Sequence, residues 1–184
     1  DQTRFAYTVT AQLAWVPLDG GAPKPLGEPV ALAGCDVSPD EKWLVVTRFV
    51  LPAPLGFPAG LFPRKVELWP VRASGGAGTG APIALADVPL NDRSAVASVA
   101  PLGMRDFTWA PDSKSLWCAS WEDKPGSSPQ AAVRDTTLPP PGADRLLRFD
   151  TPFAGNPVEV ARTEFPLQGF LFTLDGARVL TFEG

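Results

Sequence analysis

Three acidic side chains, Glu122, Asp123 and Asp135, could support acid–base chemistry in this sequence. A glycosidase that works through carboxylates needs two of them about 5 to 10 Å apart, one to donate a proton and one to act as base or nucleophile. Nothing in the sequence holds a pair of these residues at that separation. We therefore keep a glycosidase as the third of three hypotheses, and we expect these residues to be solvated loop charges.

Three arginines, Arg93, Arg105 and Arg134, could hold a substrate carboxylate, because a guanidinium group donates two parallel hydrogen bonds to a carboxylate. An ordinary surface position is the alternative for each of them. The basic residues are otherwise scattered, and 16 Lys and Arg against 20 Asp and Glu give a net charge of -4. Without a basic patch, neither a nucleic acid nor an anionic membrane is an expected partner.

The sequence contains no histidine, which excludes several kinds of active site from the chain itself. Neither a Ser-His-Asp triad nor a Cys-His pair can be assembled, and zinc sites that use histidine are excluded as well. Cys35 and Cys118 are too far apart to suggest a zinc site, and their apolar neighbours predict buried free thiols rather than a disulfide. We predict no catalytic residue, no metal site and no cofactor in this chain.

The elements that would position such residues repeat along the chain. Three segments share the pattern Gly-x-Pro-(Val/Ile)-x-(Leu/Val)-Ala, at residues 27–33, 80–86 and 155–161. Proline opens each segment, where a strand can spare its N–H, and the apolar residues then alternate with a period of two. Each segment is predicted to be a short strand.

A second repeat predicts a β-hairpin at residues 35–46, 107–118 and 170–181. Asp40 and Asp112 are placed to hydrogen-bond the backbone of a tight turn. Glu41 and Ser113 stand at the next position, where glycine would best tolerate a positive φ, and the third copy has Gly176 there.

A further strand follows the first two hairpins, at residues 65–71 and 145–150, and a similar one lies near the start, at 13–18. The resulting order of four antiparallel strands is typical of β-propeller blades, with a β-sandwich as the alternative. The predicted fold class is all-β, an incomplete propeller. Its blades are assigned as the end of one blade at 1–33, whole blades at 34–87 and 105–162, and the start of another at 167–184. Residues 5–10 and 179–182 are expected to be unpaired edge strands.

Three long connections lengthen the blades, at residues 50–64, 88–104 and 122–144, and antiparallel order places all three on one face. The connection at residues 122–144 is polar and is predicted to be a solvated loop. Residues 50–63 carry no charge, which is unusual for a surface loop. Phe57, Leu61 and Phe62 in this loop either dock on a partner domain or fold back onto their own blade.

Taken together, the segments 37–46, 62–69, 86–90, 105–112 and 147–157 resemble the N-terminal propeller of prolyl oligopeptidase-family serine peptidases, in the glutamyl endopeptidase-like branch. The resemblance covers about residues 34 to 184. It implies a propeller that filters access to a C-terminal α/β-hydrolase domain of the same polypeptide, where a Gly-x-Ser-x-Gly serine, an acid and a histidine act on a peptide substrate. This chain has neither that motif nor a histidine, so no catalytic residue of the family is assigned to any position.

The function predicted from this resemblance is a non-catalytic, substrate-gating propeller portion of a serine-type peptidase. A stand-alone propeller that binds proteins is the alternative, and the flanking coding sequence would distinguish the two. No segment resembles a signal peptide or a membrane-spanning helix, so a soluble protein is expected. The resemblance implies the chloroplast stroma for a plant or algal protein and the bacterial cytoplasm or periplasm otherwise. Since the chain starts at Asp1 rather than Met, we expect processing, cloning or truncation to have set its ends.

Overall fold

The computed structural model describes residues 1–72, 78, 80–91, 103–123 and 142–183. The chain divides into two compact units, residues 1–89 and residues 90–184.

The first unit contains one helix and a five-stranded antiparallel sheet with the strand order β1-β2-β3-β4-β5. Its elements are α1 (Gln2–Val9), β1 (Thr10–Trp15), β2 (Lys24–Val37), β3 (Trp43–Phe49), a 3-10 turn (Ala59–Leu61), β4 (Arg64–Pro70) and β5 (Ile83–Val88). The connection from β3 to β4 is the uncharged segment 50–63, called the insertion below.

Strand β2 is long because it serves two pairings in succession. Its first part, residues 24–31, pairs with β1, and its second part, residues 32–37, pairs with β3. A register shift between Leu32 and Gly34 lies at the start of the second pairing. The strand therefore runs without a break across the predicted boundary between residues 33 and 34, and Pro29 lies inside it rather than at its start.

The core of the first unit lies between the β1–β2 pair and the strands β3 and β4. Leu26, Leu44, Val46 and Val71 are buried there, with Leu13, Trp15, Leu32 and Trp69 packed against them. Gly27 has a φ of 64° and lies against the ring of Trp69, so close that a Cβ atom would be 2.6 Å from the nearest ring carbon. Only glycine fits this position without displacing the tryptophan.

The second unit contains a four-stranded antiparallel sheet and a separate hairpin. The sheet has the order β6 (Gly103–Trp109), β7 (Ser115–Asp123), β8 (Gly142–Asp150) and β9 (Val158–Arg162), and the hairpin is formed by β10 (Leu167–Phe172) and β11 (Val179–Glu183). Ala110, Trp117, Leu146 and Phe170 form the buried cluster between them, and Phe172 and Val179 pack against it.

The three hairpin turns have the predicted geometry. Glu41, Ser113 and Gly176 have φ values of 58°, 60° and 66°, so the same left-handed position recurs in each copy. The preceding aspartate in each turn accepts a hydrogen bond from a backbone N–H: Asp40 from Lys42 at 3.3 Å, Asp112 from Lys114 at 3.0 Å and Asp175 from Ala177 at 3.0 Å. Local chemistry alone is sufficient to specify these turns.

The structure confirms the predicted fold class, since the described residues form open antiparallel sheets as expected of an incomplete β-propeller. The edge strand predicted at residues 5–10 is wrong, because residues 2–9 form α1. Asp1 caps this helix by accepting a hydrogen bond from the N–H of Thr3 at 2.9 Å. The alternating Phe5, Tyr7 and Val9 suit a strand locally, but packing against the insertion selects the helix.

The prediction of two buried thiols is right for Cys118 and wrong for Cys35. Cys118 is fully buried in β7, and burial raises its pKa to about 12. Cys35 lies on the exposed second part of β2. Partial loss of water around the thiol raises the pKa of Cys35, and the negative charge of the neighbouring Asp36 raises it further. Both thiols are free.

Within the described residues, no helix has the length and apolar character needed to cross a bilayer.

Candidate functional site

The insertion between β3 and β4 is a folded loop held by its own backbone. The N–H of Val50 donates to the carbonyl of Pro63 at 3.0 Å and closes the loop at its base. Inside it, the N–H of Phe57 donates to the carbonyl of Pro54 and that of Leu61 to the carbonyl of Pro58, both at 3.0 Å. These hydrogen bonds satisfy some of the backbone N–H and carbonyl groups of a segment that belongs to no sheet.

Phe62 anchors the end of the insertion in the interior of the first unit. Its side chain is 2% exposed. The centroid of its ring lies 5.3 Å from that of Phe5 in α1 and 6.1 Å from that of Phe49 in β3. The ring centroids of Phe5 and Phe49 are 5.7 Å apart, and the rings of all three pairs meet edge-to-face. Such pairs each contribute about 0.5 to 1.5 kcal/mol beyond their burial, so this aromatic triad joins the helix, the strand and the insertion.

A side chain from α1 also holds the insertion near its start. The N–H of Ala53 donates to the Oε1 atom of Gln2 at 2.9 Å, and the Nε2 atom of Gln2 donates to the carbonyl of Ala53. Ala53 is itself 2% exposed. One amide side chain therefore satisfies both backbone groups of a buried residue.

An ion pair supports the strands that carry the insertion. The Nη2 atom of Arg48 in β3 lies 2.6 Å from the Oε1 atom of Glu67 in β4, and the indole N–H of Trp69 donates to Oε2 of Glu67 at 3.1 Å. Burial alone would raise the pKa of Glu67, but the hydrogen bonds from Arg48 and Trp69 outweigh it, so the pKa lies below its ordinary value. The carboxylate is therefore charged at neutral pH and fixes the two strands to each other.

The outer side of the insertion is apolar and exposed. Leu51, Leu55 and Phe57 are 41%, 43% and 37% exposed, and Leu61 is half-buried. Of the three side chains predicted to dock, Phe57 lies on the surface and Phe62 lies inside. Phe62 therefore folds back onto its own unit, as one of the two alternatives predicted, and Phe57 remains a candidate for docking on a partner domain. The prediction omitted Leu51 and Leu55, although the absence of charge throughout 50–63 pointed to them as well.

Arg105, a candidate for binding a substrate carboxylate, is occupied by a buried partner. Its Nη1 and Nη2 atoms contact the two carboxylate oxygens of Asp144 at 2.8 and 2.5 Å, and Asp144 is completely buried. The same carboxylate accepts the N–H of Leu167 at 2.6 Å, while Arg105 donates to the Leu167 carbonyl at 3.1 Å. This pair links the four-stranded sheet to strand β10, so Arg105 is not a substrate ligand here. Arg93 and Arg134 lie outside the described residues.

Glu122, one of the candidate acid–base carboxylates, is engaged in surface ion pairs at the end of β7. Its carboxylate lies 2.7 Å from Nη1 of Arg162 and 3.8 Å from Nη1 of Arg145. Arg162 also pairs with Glu159 at 3.1 Å. The side chain of Asp123 and the whole of Asp135 lie outside the described residues, so the described structure brings no two of the predicted carboxylates together.

The described features of the insertion are those of a contact surface. Among the side chains that the structure describes, no group of three potential metal ligands is found, and the sequence has no histidine to act as a base. The insertion offers an uncharged, exposed surface that its own hydrogen bonds and α1 hold in place. Such a surface can bind another protein surface by burying apolar area.

Comparison with known proteins gives two clear relatives in sequence. Both are called "Probable glutamyl endopeptidase, chloroplastic". The protein from Oryza sativa subsp. japonica is 33% identical over 137 residues, which cover 73% of this chain and 14% of the relative. The protein from Arabidopsis thaliana is 28% identical over 189 residues, covering 100% of this chain and 18% of the relative. The chain thus spans less than a fifth of the length of either relative.

No family profile matches the sequence. Among solved structures, an acylaminoacyl peptidase from Pyrococcus horikoshii matches 84% of this chain and 20% of its own, with a TM-score of 0.43 and 10% sequence identity. The family follows from the two plant relatives, whose names agree with the resemblance already found in the hairpins and strands. The chain belongs to the prolyl oligopeptidase family of serine peptidases, together with the glutamyl endopeptidases to which it is similar.

Proposed function

We propose that this chain is a substrate-gating, non-catalytic propeller portion of a serine-type peptidase, and that the whole enzyme hydrolyses peptide bonds. One observation carries the proposal: the chain is related to peptidases more than five times its length, yet contains no histidine from which a catalytic triad could be built. Its contribution to the enzyme is therefore to shape access to an active site formed by other residues.

The chemistry assigned to the whole enzyme is acyl transfer to a serine. The serine hydroxyl attacks the scissile carbonyl while a histidine takes its proton, and water then releases the acyl group. All of these groups belong to an α/β-hydrolase domain of the same polypeptide. The present chain affects the rate through binding and access, since interactions far from the scissile bond can position a peptide.

The insertion is the surface that we assign to contact with the hydrolase domain. Leu51, Leu55 and Phe57 are exposed, uncharged and held by a folded loop, so covering them removes apolar area from water without first ordering the segment. The relatives are more than five times as long as this chain. We assign the hydrolase domain, within that additional length, as the part that covers these three side chains. The occupant is therefore part of the same molecule rather than a separate protein.

The substrate and compartment are proposed from the relatives. Both relatives carry the name "Probable glutamyl endopeptidase, chloroplastic". We assign cleavage next to glutamate to the whole enzyme, and the chloroplast stroma as its location if the source is a plant or alga.

The test uses the full-length gene product. It should react with a fluorophosphonate probe of serine hydrolases and cleave peptides containing glutamate in preference to matched peptides with glutamine. Substitution of the serine in a Gly-x-Ser-x-Gly motif outside this chain should abolish both activities. A full-length protein without that motif and without probe labelling would refute the proposal and favour a stand-alone binding propeller.

A further inference from the structure

Helix α1 makes two separate contacts with the insertion. The Gln2 amide is bonded to both backbone groups of Ala53, and the Phe5 ring packs between Phe49 and Phe62. The first contact holds the insertion near its start and the second holds it at its end. Both come from one helical face, since residues 2 and 5 are three positions apart.

The rest of α1 contributes little to the interior. No residue of the helix is fully buried, and the Tyr7 side chain is 86% exposed. Ala6 and Val9 are half-buried and the helix also lies beside β2, whereas the side chains of Gln2 and Phe5 contact the insertion or the strand that leads into it. The side-chain hydrogen bonds and ring contacts by which the helix reaches remote residues are therefore made with the insertion and with β3.

We propose that α1 is a positioning element for the insertion, which it holds in the conformation that presents Leu51, Leu55 and Phe57 to the hydrolase domain. The partner in this inference rests on the proposed function, whereas the effect of α1 on the insertion does not. A loop of 14 residues outside a sheet has many alternative conformations. If the loop is fixed at two points before docking, less conformational entropy is lost when the domain contact forms.

The structure indicates which substitutions separate this role from general stabilisation. Gln2→Ala removes the contact with Ala53 but no core packing, and Phe5→Ala removes the aromatic contact. Phe5→Leu keeps an apolar side chain in the same place and is the conservative rescue. Tyr7→Ala is the matched control, because it changes an exposed aromatic side chain of the same helix.

The main experiment is hydrogen–deuterium exchange with mass spectrometry on the full-length protein. In Gln2→Ala and Phe5→Ala, the amides of residues 54–62 should exchange at least tenfold faster, while β3 and β4 keep their protection. Phe5→Leu should restore most of the protection, and Tyr7→Ala should leave it unchanged. Unchanged exchange in residues 54–62 would overturn the inference, and so would an equal increase throughout residues 1–89, which would show that α1 only stabilises the unit.

Peptidase kinetics on the same variants test the partner. With the hydrolase domain as occupant, Phe5→Ala should lower kcat/KM at least fivefold and Phe57→Asp should do the same, whereas Tyr7→Ala should not. Altered exchange with unaltered kinetics would overturn the hydrolase domain as the occupant and leave the action of α1 on the insertion established. A protein without any peptidase activity would refute the proposed function, and the exchange result would still decide the role of α1.

Discussion

Replacement of Arg105 by alanine should destabilise the protein strongly, because it leaves the Asp144 carboxylate buried without its cation. Asp144 has no solvent exposure, and the Arg105 side chain is 13% exposed. Breaking a buried ion pair by removing one partner costs about 3 to 5 kcal/mol. We expect Arg105→Ala near the upper end of this range and Asp144→Ala nearer 3 kcal/mol, because the remaining arginine can move toward water. The N–H of Leu167 also loses its acceptor in the second variant.

Urea unfolding of the full-length protein, followed by tryptophan fluorescence, measures these changes as shifts of the transition that reports on this unit. The double variant Arg105→Met/Asp144→Leu should lose at least about 2 kcal/mol less than the sum of the two single alanine variants, because it leaves no charge buried. Lys114→Ala is the control, since Lys114 forms an exposed ion pair with Asp112 at 3.8 Å and should leave the midpoint unchanged. If Arg105→Ala shifts the midpoint no more than Lys114→Ala does, the pair does not link the sheet to β10 as argued.

Three further predictions concern single residues. Glu67→Gln should lower stability at pH 7 by about 1 to 2 kcal/mol. Because the pKa of Glu67 is lowered from 4.5 in the folded protein, the difference from the natural protein should shrink as the pH falls below 4.5 and disappear once the pH is below the lowered pKa of the folded state, which a pH series of urea melts would show. Iodoacetamide should label Cys35 slowly at neutral pH and faster above pH 9, and label Cys118 only after denaturation, as peptide mass spectrometry can determine. Glu41→Gly should raise stability by about 0.5 to 1 kcal/mol and Gly176→Ala should lower it by about 1 kcal/mol, because both positions have a positive φ; opposite shifts in melting temperature would support this, and shifts of the same sign would contradict it.

Features that depend on neighbouring residues could be predicted from the sequence. The hairpin turn at Glu41 recurs at Ser113 and Gly176 because an aspartate, a backbone N–H and one left-handed residue are all within a few positions of each other. The strands that follow proline at 82 and 157 begin where they were expected, since proline lacks the N–H that a ladder requires.

Features that depend on distant residues could not be predicted in this way. The alternating residues 5, 7 and 9 are compatible with a strand or a helix, and contacts with Phe49 and Phe62, more than forty positions away, favour the helix. Likewise, no local pattern shows that Arg105 would meet Asp144 rather than a substrate.

By itself, the sequence determined the antiparallel all-β fold class, the hairpin turns and the absence of a histidine-based active site from the chain, because each of these follows from residue type and short-range spacing. Only the tertiary structure decided which apolar side chains of the insertion are buried and which are exposed, and which charged groups are paired. Burial and pairing are set by the surfaces that meet when remote segments pack, and those surfaces are not encoded in the spacing of any one segment.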